Sequence, residues 1–134
     1  MKAASLIASL LLATGFPAAP VVHAQSTSPA QLQRDYETAA GASGRADRGQ
    51  AFFTRRHGGE WSCASCHGQV PTGAGRHAVT NKPMDPLAPA FNAKVFTDER
   101  RVEKWFRRNC QDVVQRECSA AEKADVLAWL QTLR

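Results

Sequence analysis

Cys63-Ala64-Ser65-Cys66-His67 reads as C-x-x-C-H, and these five residues decide most of what the chain can be. Two thiols three positions apart can each add to one vinyl group of a haem, while the histidine beside the second thiol turns under the iron as an axial ligand. The motif implies one covalently bound haem c, anchored by Cys63 and Cys66, with His67 as the iron ligand. Two other uses of paired cysteines compete with it. A zinc site needs a second ligand pair at similar spacing, and a thioredoxin-like redox site needs a βαβ context; neither accompanies the motif here.

The N-terminus reads as an export signal. Lys2 precedes an apolar stretch from Ala3 to about Leu12, and Val22-His23-Ala24 forms a small-residue cleavage site. The expected division is a signal peptide over residues 1–24 and a single domain over 25–134, beginning at Gln25. The run to Val22 is also long enough for an uncleaved anchor, but Gly15, Pro17 and Pro20 interrupt it and suit the end of a signal better. Cleavage leaves no stable membrane anchor. Export places the chain in an oxidising compartment, the bacterial periplasm, in which spare cysteines pair.

The 110 residues of the expected domain suffice for one core. They hold nine aromatics, so a buried haem would supply much of the apolar surface. Without Lys2 there are 16 basic and 12 acidic residues, a formal charge of +4 that two haem propionates would partly offset. Arg55-Arg56 and Arg107-Arg108 read as solvated helix faces or as a docking surface for an acidic redox partner. They lack the interleaved aromatics of a phosphate track, so no nucleic-acid role follows.

The chain reads as all-α. Ser28, Pro29 and Gln31 suggest an N-cap, a first-turn proline and the return arm of a capping box, opening a helix with Leu32, Tyr36, Ala39 and Ala40 on one stripe up to Gly41. A second helix is expected from about Ala46 to Arg56, with Gly49, Phe52 and Phe53 inward, ended by Gly58 and Gly59. The stretch Gly68–Thr97 carries four prolines and would be a long loop unless a haem edge gives it something to pack on. Thr97 is expected to cap a third helix with Val102, Trp105 and Phe106 buried. Ser119 with Glu122 forms a capping box for a last helix bearing Val126, Leu127, Leu130 and Leu133, with Trp129 flanking. No strand pattern and no repeat is visible. From about Arg45 onward this order resembles a small class I cytochrome c, with helices packed around one haem c.

The residues alone leave the sixth iron ligand open. Met84 could give a permanently six-coordinate electron carrier, but a lone Met in a proline-rich loop is as often a packing residue. His57 and His77 lie in polar, glycine-containing surroundings that suit surface histidines. Asn109 extends the apolar stripe of the third helix, and its amide needs a partner. It reads either as a ligand or as a C-cap serving its own backbone.

A closer resemblance runs through Pro86-Leu87-Ala88-Pro89, Phe96-Thr97-Asp98, Val102-Glu103-Lys104-Trp105-Phe106-Arg107-Arg108-Asn109-Cys110, Cys118, Glu122-Lys123-Ala124-Asp125 and Leu127-Ala128-Trp129-Leu130. It extends upstream to Ser28-Pro29-Ala30-Gln31-Leu32. In these stretches the chain resembles the SHP family of high-spin, oxygen-binding class I cytochromes c. The resemblance implies Cys63 and Cys66 as haem anchors, His67 as proximal ligand, Asn109 as distal ligand of the oxidised iron, and a Cys110–Cys118 disulfide. It also implies a dihaem cytochrome c or a membrane cytochrome b as redox partner. An amide oxygen is a hard, weak ligand that suits ferric iron and matches ferrous iron poorly. Reduction is therefore expected to release Asn109 and admit O2, NO or a similar diatomic ligand. Whether such a ligand is turned over, as in an oxygen or nitric oxide reductase, stays open, beside a plain electron carrier and a gas sensor without turnover.

Overall fold

The computed structural model describes residues 26–134; the expected signal peptide, its cleavage site and Gln25 lie outside the described residues. Helix α1 spans Pro29–Ala40. The Ser28 hydroxyl accepts the Gln31 N–H at 3.1 Å, and Gly41 closes the helix with φ +64°, a left-handed conformation that glycine adopts without a Cβ penalty. The expected return arm of the box is not made. Gln31 instead donates to Asp35 and accepts from Arg34, one turn along the same face.

Helix α2, Ala46–Thr54, stops short of the expected Arg56. The His57 ring folds back so that Nε2 meets the Phe52 carbonyl at 2.8 Å, replacing a helical N–H, and stacks on the Phe52 ring. Gly49, Phe52 and Phe53 are buried as expected.

Helix α5, Ala120–Leu130, opens on the expected box: Ser119 Oγ accepts the Glu122 N–H, and Glu122 accepts the Ser119 N–H. It is the spine of the fold, buried from Ala124 to Leu127 and again at Trp129 and Leu130, with α1 and α2 packed on it. Trp129 is therefore core, and Leu133 falls beyond the helix end. Where α2 crosses α5, Gly49 lies so close to the Asp125 carbonyl that a Cβ would collide with it. The buried Asp125 carboxylate clamps the same crossing, accepting from the Arg45 backbone N–H at 2.7 Å and from Arg48 Nε and Nη2 at 2.8 Å each.

The motif residues form α3, Cys63–His67, opened by reciprocal hydrogen bonds between Ser62 and Ser65. The proline-rich stretch after it is not featureless. Two short strands, β1 (Gly75–Arg76) and β2 (Pro83–Met84), pair antiparallel with Gly75 opposite Met84. The buried Pro71 accepts the N–H groups of Leu87 and Ala88 through its carbonyl. Strands this short carry no two-residue periodicity to read, and the fold remains helical.

Helix α4, Glu99–Val114, corrects two expectations. Its N-cap is Asp98, whose carboxylate accepts the Arg101 N–H at 3.0 Å, while the Thr97 hydroxyl donates back to the Lys94 carbonyl. The helix also runs past Asn109 to Val114, so Asn109 is internal and cannot be the C-cap; Gln115 takes that place at φ +61°. Val102, Cys110 and Val114 are buried and Phe106 is half-buried, but Trp105 is 46% exposed, against expectation.

Candidate functional site

The C-x-x-C-H residues lie together on α3, with Cys63 and Cys66 as free thiols. Burial pushes the Cys63 thiol up to about 11. The shift is opposite to the lowered pKa of a reactive redox thiol. His67 is also set by burial, which lowers its pKa to about 4 and keeps the imidazole neutral, with a lone pair to give. The Phe53 ring from α2 lies 6.0 Å from the His67 ring and 5.1 Å from Trp129, tying the histidine to the α2–α5 core. Phe53 reads from sequence only as an inward residue; nothing in its spacing announces that it backs His67.

Gly75 fixes the other side of α3. A side chain there would collide with the Cys66 carbonyl oxygen and come within 3.1 Å of His67 Cα. The hairpin thus lies directly against the attachment helix, and the Ala78 N–H reaches Cys66 Sγ at 3.3 Å. Met84 belongs to this arrangement, since its backbone pairs with Gly75. His77 spends its Nδ1 on the N–H groups of Val79 and Thr80, and His57 spends its Nε2 on Phe52.

Asn109 stands apart on α4, exposed, one turn beyond Trp105 on the same flank. That flank borders the buried stripe next to Val102. Cys110 faces inward and is bonded to Cys118, with 5.6 Å between Cα atoms. Two turns earlier Glu103 accepts from the Tyr36 hydroxyl and from Lys123 Nζ, the latter at 2.8 Å. Phe106 packs edge-on to Tyr36 at 5.9 Å between ring centres. Sequence spacing gives no sign of this three-helix contact, because its members are 67 and 20 residues apart.

The residues present fit a haem. His67 Nδ1 is buried with no hydrogen-bond partner among the described residues, an orphan that a folded chain rarely tolerates. Four large apolar side chains, Val70, Val79, Phe91 and Trp105, are exposed. Two thiols one helical turn apart adjoin the orphaned ring. An apolar group with a metal centre and two thiol-reactive arms answers the orphaned ring and the paired thiols at once.

Comparison with known proteins agrees. The chain is 50% identical over 111 residues to the cytochrome c-type protein SHP of Cereibacter sphaeroides, covering 80% of this chain and 85% of that one. The chain belongs to the SHP family of cytochromes c. A structure of oxidised SHP, described as an oxygen-binding cytochrome c, superposes with a TM-score of 0.75 at 48% identity, covering 81% of this chain and 99% of that one. Oxidised cytochrome c'' from Methylophilus methylotrophus gives 0.73 at 35% identity, over 79% and 94% of the two chains. A family model described as a domain of unknown function, DUF1924, matches residues 39–130. This SHP-family chain has the cytochrome c fold and carries one covalently bound haem c. It is a monohaem cytochrome c.

Proposed function

We propose that this cytochrome works in the periplasm after signal cleavage, accepts electrons from a redox partner, and on reduction gives up Asn109 as distal ligand in favour of O2, NO or a similar diatomic molecule. The bound haem supplies an iron that alternates between ferric and ferrous states. Cys63 and Cys66 would hold the group through their sulfurs, and His67, kept neutral by burial and backed by Phe53, would give the iron a ring nitrogen. Asn109 would offer its carboxamide oxygen to ferric iron, a hard donor that the softer ferrous metal matches poorly. The freed amide then has an N–H with which to hold the incoming molecule.

The observation that carries this reading is the place of Asn109. It lies five residues inside the end of α4, so its amide is not consumed by capping, and it stands beside an exposed tryptophan. The oxygen binding described for SHP supports the gas-binding part of the reading. Met84 is a poor rival because its strand pairs with Gly75, which is pressed against Cys66 and His67.

The test is optical. The reduced protein is expected to be high spin and to take up CO rapidly, and Asn109→Ala is expected to open the ferric site to water or added anions while the covalent haem is retained. A reduced protein that is low spin and indifferent to CO refutes gas binding; an unchanged ferric spectrum in the variant removes Asn109 as ligand.

A further inference from the structure

The surface of α4 is charged in a way that folding does not explain. Arg100, Arg101, Lys104, Arg107 and Arg108 are all exposed and fall within about 120° of arc at 100° per residue. No carboxylate lies in that arc. Glu103 points to Tyr36 and Lys123, and among the described residues none of the five cations joins an ion pair.

Two physical costs follow. Arg100 and Arg101 occupy the first turn, where the helix dipole disfavours positive charge and favours the Asp98 cap and Glu99 beside them. Arg100 with Lys104, and Lys104 with Arg108, are like charges at i,i+4 spacing, which repel. The opposite end offers no compensation, for the last turn of α4 carries no basic residue. The arc also has a direction. Its edge meets Trp105, over which the Arg108 guanidinium lies at 5.4 Å, and one turn further on is Asn109. A shallow groove lined by Asp98, Arg100, Arg101, Lys104 and Trp105 runs along its first half.

We infer that this face of α4 docks an acidic protein electron donor. The partner is a protein with a carboxylate-rich surface, matched by charge to five unneutralised cations around one half-exposed aromatic, the composition of an interface with a single anchor. Docked there, the donor would lose one electron and the haem iron held by His67 would gain it, with no bond broken in the donor. Electrons then arrive on the helix whose Asn109 they release. The inference rests on the proposed function for the partner's role as electron donor and for that last consequence; the charged docking face stands without it.

The test reads association rather than turnover. Isotope-labelled ferric holoprotein is titrated with unlabelled oxidised flavodoxin, an acidic electron carrier used as probe, at ionic strengths of about 0.01 M and 0.15 M, where screening lengths are about 30 Å and 8 Å. Amide shifts are expected to cluster on residues 100–108, with affinity falling about tenfold between the two salts. The triple variant Arg100→Gln, Arg101→Gln, Lys104→Gln is expected to lose about tenfold at low salt, whereas Arg55→Gln with Arg56→Gln loses less than about threefold. Since the triple variant removes repulsion and an unfavourable dipole contact, its thermal midpoint should not fall, and that measurement confirms folding. Shifts centred elsewhere, salt-independent binding, equal loss in the Arg55/Arg56 variant, or binding to anionic vesicles but not to flavodoxin would each overturn the inference. CO uptake by the reduced protein, read separately, reports on gas binding, so the two ideas fail on different signals.

Discussion

Gly49→Ala is the smallest change that tests the packing argument. An added Cβ would meet the Asp125 carbonyl and lie 2.9 Å from the Val126 nitrogen, all backbone of the facing helix. No flexible side chain can yield, so α2 and α5 must separate, loosening the Asp125 clamp and the Phe53–Trp129 contact together. Overpacking by one methyl costs about 1–3 kcal/mol, and backbone obstacles place this site at the upper end. Alanine returns about 1 kcal/mol through its better helix propensity. The net loss is about 2 kcal/mol, which for a domain of this size lowers the thermal midpoint by about 10 °C. Two controls isolate the cause. Gly41→Ala, at φ +64° with no atom within 4 Å, should cost about 1 kcal/mol through backbone strain alone. Gly73→Ala, with no neighbour and no left-handed φ, should be nearly neutral. Far-UV circular dichroism melts of the ferric holoproteins decide the matter. A Gly49→Ala midpoint within about 2 °C of the parent, or a larger loss for Gly41→Ala, would refute the close-crossing account.

Replacing Cys110 and Cys118 together by Ser reopens a loop of sequence separation 8 and should remove about 2–3 kcal/mol in guanidinium titrations. Two reactive thiols in the denatured parent protein would show that the bridge does not form. Glu122, held down to about 2 chiefly by its hydrogen bonds with Arg116, contributes stability that is present above the ordinary carboxylate range and lost as pH falls from about 4.5 toward about 2. Glu122→Gln should flatten that acid limb of the melting-temperature profile without altering the neutral spectrum.

The attachment site and the helix order were legible because they depend on local rules. C-x-x-C-H is contiguous, and Ser28, Gly41 and the Ser119–Glu122 box act over three or four residues. Reading failed where a distant group competes. Arg55 and Arg56 carry no mark showing that the His57 ring takes the Phe52 carbonyl and ends α2 early. Thr97 and Asp98 are both good caps, and the choice fell to the residue whose side chain was not engaged by Lys94. Trp105 reads as core because helical spacing sets it beside Val102 and Phe106, and periodicity does not separate the centre of an apolar stripe from its edge. Asn109 reads as a helix end because asparagine is a common cap, although α4 continues for more than a turn beyond it.

A distal ligand that must let go and return is best carried by an element that is tethered without being embedded, and α4 has that character. The helices that hold His67 in place are locked by the Gly49 crossing, the Asp125 clamp and the Phe53–Trp129 contact, so the proximal side is fixed. Helix α4 is restrained at chosen points instead. The Cys110–Cys118 bond anchors it next to Asn109, the Glu103 carboxylate binds it to Tyr36 and Lys123, and its first turn is joined to the N-terminal segment by the Ser26–Asp98 bridge. Between these tethers Trp105 and Asn109 are exposed. On the proposed reading, a disulfide one residue from Asn109 limits how far its amide can travel, while its exposure leaves it room to rotate. On the proposed reading, cutting the disulfide should therefore slow the return of the ferric spectrum after reoxidation more than it alters the ferrous CO complex, because only the former requires Asn109 to find the iron again.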